Sequence, residues 1–355
     1  MINSIGTLLL YQSGSPNVDS IKKGTVENKV RDSCTDAVAG FFIWVMILVH
    51  MFQWAELRDS KIYAFLQYFN FFMPWFFFKA GLFYSSKGNL KKLCVKKAKR
   101  LLLPMVTFSL LGVVACIVYY GKFESLPFGA TVVSILKGLV SSGSFVGNTP
   151  LWFLPCLFLV HVGYKILSYR RWLIVSSLIA SVGLSNLLVI LDINGPSYVV
   201  ASVTGFIYFT FGVFYKRYQN SRILLQLFIG LCISVIIWLT NPTLVDMRTN
   251  SLIDGNYGLW YIVSISGIIC IQALSKITPP RIIEVFGLQK FGYYSMILYV
   301  CHWPLLIMTD AMIGDELYTI ENWHLFSLYL LTQLVMMPFC IYIFNLSKIK
   351  NIFCL

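Results

Sequence analysis

The chain has 355 residues, of which 57 % are hydrophobic and 12 % charged, and its mean hydropathy is +0.73. That balance excludes an ordinary soluble domain and marks a polytopic membrane protein. A formal charge of +13 suggests nucleic acid in a soluble chain, but here the basic residues sit in short connections between apolar runs. Membrane orientation explains them, and no nucleic-acid partner is expected.

Residues 1–34 are polar and irregular. The short apolar run at 7–11 has no basic segment before it and no cleavage site after it, so the stretch reads as a flexible cytosolic tail and not a signal peptide. Apolar runs then predict about ten spans, at 35–56, 62–85, 101–121, 151–168, 172–191, 198–216, 222–240, 257–275, 290–311 and 323–347. A single transmembrane domain over 35–347 and a short cytosolic tail at 348–355 follow. The fold class is all-α, a polytopic helix bundle, because only helices or closed barrels satisfy their backbone in lipid and these runs are too long for barrel strands.

With ten spans, every dense basic group falls on one side. Lys22, Lys23, Lys29 and Arg31 precede the first span, and Lys87 to Arg100 hold seven basic residues after the second. Smaller groups follow at Lys165/Arg170/Arg171, Lys216/Arg217/Arg222, Lys276/Arg281/Lys290 and Lys348/Lys350. The positive-inside rule makes that side the cytoplasm and places both termini there. Glu56, Asp59, Glu124, Asp192, Asp246, Asp254, Asp315, Glu316 and Glu321 fall opposite. In the longest outer connection, 122–150, the apolar stretch 129–140 is too short to span and predicts either a re-entrant or an ordinary loop helix.

The first span, TDAVAGFFIWVMILVHMFQWA over 35–55, carries His50 deep inside. An ionisable side chain there marks a functional site by default, the alternative being a neutral histidine bonded to one neighbouring helix. The helical rise puts His50 about 20 Å from the cytosolic start of its span and His302 about 18 Å from the start of span nine, so the two can converge on one site. Ser295, Tyr299 and His302 share one helix face, and Pro304 loosens the helix just beyond. Asp36 lies on the His50 face but about 21 Å away, which suits a charge at the helix entrance or a partner for a cytosolic cation. Lys79 either snorkels to the inner interface or contacts an anion at the inner mouth. The basic run 91–100 attracts anionic lipids and would equally attract a polyanionic cytosolic cofactor. Nine cysteines show no paired ligand spacing, so neither a disulfide nor a metal is expected.

Five fragments in order carry a resemblance across roughly 31–347. They are Arg31-Asp32 and Asp36 with Gly40 leading to His50; FFMPWFFFKAGLF at 71–83; the basic run closing in Arg100-Leu-Leu-Leu-Pro104; NTPLWFLPCLF at 148–158; and FGYYSMILYVCHWPL at 291–305. With the ten-span topology, the chain resembles the acyltransferase-3 family of membrane acyltransferases, particularly its fucose 4-O-acetylase-like branch. The resemblance implies transfer of an acyl group, commonly acetyl from acetyl-CoA, to a hydroxyl of an envelope glycan or lipid-linked glycan, in a bacterial cytoplasmic membrane. It maps the family's catalytic histidines onto His50 and His302. Members usually carry a basic residue eleven positions before the first histidine, where Ala39 stands here, and Lys79-Ala80 replaces an apolar-serine pair before Gly81. Lys79 is expected near the end where Ala39 lies and can supply that missing cation to acyl-CoA, with Lys96, Lys97 and Arg100 drawing the donor's phosphates.

A sugar hydroxyl is a poor nucleophile, and histidine is the base whose ordinary pKa lies near the operating pH. Either the hydroxyl attacks directly with His50 as general base, or His50 forms an acyl intermediate; direct attack is the preferred reading. His302, Tyr299 and Ser295 are the candidates to orient His50 or polarise the thioester carbonyl. Trp152 and Trp303 either face a sugar ring or act as membrane anchors. Two rival classes remain: a transporter, against which stand the absence of repeated halves and the scarcity of intramembrane carboxylates, and a non-catalytic component of polysaccharide export.

Overall fold

The computed structural model describes residues 32–120, 128–141, 147–314 and 320–346. The tail up to residue 31 with its four basic residues, Lys122, Glu124, Asp315, Glu316 and the final tail from 347 lie outside the described residues.

The described chain is built almost entirely of helices. In order they are α1 Ser33–Trp54, α2 Lys61–Gln67, α3 Phe72–Leu82, α4 Leu90–Lys97, α5 Leu103–Tyr120, α6 Phe128–Ser141, α7 Phe153–Leu167, α8 Arg171–Ile190, α9 Ser197–Tyr215 and α10 Ile223–Thr240. A hairpin of β1 Leu244–Asp246 and β2 Ser251–Asp254 follows, then α11 Tyr257–Ile277, α12 Pro280–Val285, α13 Leu288–Tyr293, α14 Ser295–Ile313 and α15 Asn322–Asn345. Nine helical stretches among the described residues are long and apolar enough to cross a membrane.

The second predicted span, 62–85, is not one helix. Pro74 has no amide hydrogen and its ring would meet the carbonyl of Asn70, four residues back, in a continuous helix. The chain therefore turns at 68–71 and restarts as α3. Asn70, freed from helical geometry, accepts a hydrogen bond from Trp260 Nε1 at 3.3 Å. The pair α2/α3 still crosses the bundle. Tyr63 bonds Gln53 near the end of α1, whereas Lys79 reaches Asp36 at its beginning. The basic run 91–100 is also helical: α4 continues through a widened turn at 98–102 into α5, so the third span starts on the charged segment itself. The short apolar run at 129–140 lies within the 14-residue helix α6.

The bundle is layered around α1, whose apolar window is 78 % buried, against 11 % for α8 and 6 % for α10. Lipid is as apolar as leucine, so this sorting comes from how closely backbones approach. Gly40 and Gly292 make the tightest junction: a Cβ on Gly292 would lie 1.7 Å from the Asp36 carbonyl oxygen, and one on Gly40 would lie 2.0 Å from that of Leu288. α13 is thereby clamped to the first turns of α1 and delivers α14 alongside it. α3 and α9 meet in the same way through Gly81 and Gly212.

Replacing Gly292 by alanine must force α1 and α13 apart. Thermal unfolding in detergent is expected to show a loss of about 1–3 kcal/mol, the usual cost of overpacking. Gly163→Ala, where nothing lies within 4 Å of the new Cβ, is expected to leave stability unchanged.

Candidate functional site

The close packing of α1 and α14 brings His50 and His302 together, with His50 Nδ1 3.0 Å from His302 Nε2. Their planes are within 7° while the ring centroids are 5.2 Å apart. With the facing nitrogens so much closer than the centroids, the rings meet edge to edge in nearly one plane, as an in-line hydrogen bond requires. His302 is fully buried, and its Nδ1 lies 2.7 Å from the Tyr299 carbonyl oxygen. A carbonyl only accepts, so Nδ1 of His302 carries the hydrogen. When both rings are neutral, His302 Nε2 is then the acceptor and His50 Nδ1 the donor. His50 Nε2 is left as a bare lone pair. The tautomer of a ring is set by what its other nitrogen bonds, and here the setting group is a backbone carbonyl one turn away.

Two devices hold this geometry. Pro304 cannot donate to the carbonyl of Val300, and Asn148 Nδ2 supplies that hydrogen bond instead at 3.0 Å. The Tyr299 hydroxyl donates to the Pro150 carbonyl. Both bonds tie the 147–152 segment onto α14, so Trp152 is buried beside the histidines and not spread at an interface. Gln333 Nε2 on α15 donates to the His302 carbonyl at 3.0 Å from the other side.

His50 lines a cavity of about 280 Å³ at the end of the bundle where α1 finishes. Trp152, Trp303 and Tyr63 supply aromatic walls, Gln53, Gln67 and Asn70 supply amides, and the β1–β2 hairpin closes one side with Asp246 and Arg248. Trp303 stands at 90° to the His50 ring with centroids 5.3 Å apart. The arrangement suits removal of a proton from a hydroxyl held against His50, in a pocket walled by aromatic rings, amides and the hairpin's charged pair.

The remaining residues singled out in the sequence lie elsewhere. Ser295 sits two helical turns, about 10 Å, before His302 and does not line the cavity. Asp36 and Lys79 pair at 3.4 Å at the opposite end of α1, one turn from Ala39, and the Lys79 ammonium lies 5.7 Å from the Trp75 ring. Lys97 donates to His161 Nε2 at 2.6 Å, because His161 Nδ1 donates to the Leu157 carbonyl at 2.8 Å. Lys96 and Arg100 are exposed on the same helical run. His161, Asp246 and Arg248 make contacts that no sequence pattern singled out, and Asn148 stood only at the head of the 148–158 fragment, with no role given to it. Pro304 was the available signal for Asn148, since a helical proline leaves a carbonyl to be met. The hairpin had only the weak alternation of 244–248 to betray it.

A family model described as an acyltransferase domain, that of acyltransferase family 3, matches residues 34–345. Neither among the curated proteins nor among the solved structures is there a match.

Asn148→Leu keeps most of the volume and removes the donor that meets the Val300 carbonyl. An unmet buried acceptor costs about 1–3 kcal/mol. Thermal unfolding in detergent should show a loss of that size, while Asn148→Leu combined with Pro304→Ala, which restores a helical donor to Val300, should recover part of it.

Proposed function

This chain belongs to the acyltransferase-3 family, and on that premise we propose that it moves an acetyl or other short acyl group from cytosolic acyl-CoA to a hydroxyl of an envelope or exported glycan, with His50 as general base. The observation that carries the reading is the bare Nε2 of His50 on the wall of a cavity lined by aromatic rings and amides.

In the proposed reaction His50 Nε2 takes the proton as the acceptor oxygen bonds to the thioester carbonyl carbon. The imidazolium keeps its Nδ1–H bond to His302 Nε2, and the Tyr299 carbonyl at the far nitrogen of His302 cannot take a proton onward. No proton passes beyond His302. The proton on His50 therefore returns through Nε2, to the thiolate released when the carbon–sulfur bond breaks. One histidine serves first as base and then as acid, and His302 orients it. Direct attack remains the preferred route over an acyl-histidine.

The two ends of the bundle suit two substrates. Lys79, Lys96, Lys97 and Arg100 lie at the end crowded with basic residues, which the positive-inside rule makes cytosolic and where anionic acyl-CoA approaches. The cavity lies at the other end of α1, beneath the hairpin, where a glycan on the outer face is within reach. Both termini are then cytosolic and the membrane is the cytoplasmic one.

The test is mass spectrometry of envelope glycans from cells lacking the gene, complemented with the intact gene, His50→Ala or His302→Gln. An ester that returns with the intact gene and not with His50→Ala is the predicted result. His302→Gln, which keeps an acceptor for His50 Nδ1–H, should restore it weakly. Loss of general-base action costs about a hundred- to ten-thousand-fold in rate. Full restoration by His50→Ala would remove His50 from the chemistry, and labelled-substrate uptake with no ester product would favour a transporter.

A further inference from the structure

Asp246 and Arg248 put two charges on the wall of the His50 cavity that the proton transfers above do not use. We infer that this pair recognises the acceptor, and that the unit it recognises is an uncharged sugar ring with neighbouring hydroxyls and not a sugar acid; the inference rests on the acyltransferase reading of the same site.

Asp246 ends β1 and Arg248 stands in the turn that follows. Val245 and Met247 are buried, while Asp246 and Arg248 each keep 38 % of the side chain exposed. The turn that carries them is held from below. Asn250 sits at φ 56°, a region asparagine tolerates better than most residues, and is almost fully buried. Its Oδ1 accepts from Thr204 at 2.7 Å and from the Tyr257 hydroxyl, and its Nδ2 donates to the Ser185 carbonyl at 2.9 Å. Those three partners belong to α9, α11 and α8, so the hairpin is fixed to three helices at once.

The pair itself is loosely joined. Asp246 Oδ1 accepts the backbone N–H of Arg248 at 2.9 Å, which orients the carboxylate. Its Oδ2 lies 3.8 Å from the nearest guanidinium nitrogen, beyond hydrogen-bond length. A carboxylate only accepts and a guanidinium only donates. A vicinal pair of hydroxyls can give to the first and accept from the second, so a polyhydroxylated ring can engage both at once. Trp152 and Trp303 offer flat faces for the C–H side of such a ring, and the amides of Gln53, Gln67 and Asn70 can take either role. An acidic sugar meets a different balance. Any group that reaches Arg248 also comes close to Asp246, and like-charge repulsion cancels what the guanidinium offers. Among the described lining residues no second lysine or arginine tips that balance.

The experiment uses the full chain purified in detergent, labelled acetyl-CoA, and a panel of neutral methyl hexosides, methyl 6-deoxyhexosides and methyl hexuronosides. The expected result is transfer to one or more neutral members and none to the uronosides. Arg248→Ala and Asp246→Asn should each raise the acceptor KM about tenfold or more and leave the acetyl-CoA KM within about twofold. That last readout shows that the variants are folded and the donor side is intact. Transfer to the uronosides equal to or better than to neutral sugars would overturn the uncharged-acceptor assignment. An unchanged acceptor KM in both variants would overturn the role of the pair. Absence of transfer by the unsubstituted protein to every member would instead overturn the acyltransferase reading on which the inference stands.

Discussion

The hydrogen bond between His50 and His302 is the contact on which the rest of the molecule converges. It joins residues 252 positions apart, lies in the plane of both rings, and ends on a backbone carbonyl that cannot pass a proton further. Its direction is therefore fixed by chemistry that no side-chain rotation alters, and His50 is left with Nε2 as the nitrogen that accepts. In the proposed role of His50 as base, the lone pair has to stand where the proton will be, and the backbone of α14 chooses which nitrogen carries it.

Much of the bundle serves to hold α1 against α14. Glycines at 40 and 292 let α13 touch the first turns of α1, which sets the line of the helix that follows. The missing amide of Pro304 recruits Asn148, and Tyr299 uses both its carbonyl and its hydroxyl, the first for His302 and the second for Pro150. Each bond removes a buried unmet group and at the same time seats a cavity wall. The lipid-facing helices α8 and α10 contribute little to this contact, in keeping with their small buried share. A hairpin at the open end completes the pocket, anchored by one asparagine whose side chain ties it to three helices.

How much of this was legible in the sequence follows from how each feature is encoded. The spans were legible because a run of about 20 apolar residues is the length that the hydrocarbon core demands and that a soluble fold seldom uses. The two histidines were legible as a pair because equal helical depth is simple arithmetic on the rise. The break between α2 and α3 was hidden by uniform hydrophobicity, although Pro74 at the head of the phenylalanine run carries its cause. The pairing of Asp36 with Lys79 joins helices whose contact no local pattern specifies, so each residue was legible only as a charge near an end. Asp246 and Arg248 were hidden for a related reason: strands of three and four residues give too little alternation to stand out, and the side chains' relation to His50 exists only in three dimensions.

The most direct measurement is the nitrogen resonance pattern of His50, by solid-state magnetic resonance on histidine-labelled protein in lipid at neutral pH, with His50→Gln to assign the signal. The account predicts a neutral ring protonated at Nδ1 and bare at Nε2, the reverse of the form that free imidazole side chains favour in water. A ring protonated at Nε2, with Nδ1 as the bare nitrogen, would contradict it, because the hydrogen bond to His302 would then run the other way and no lone pair would face the acceptor.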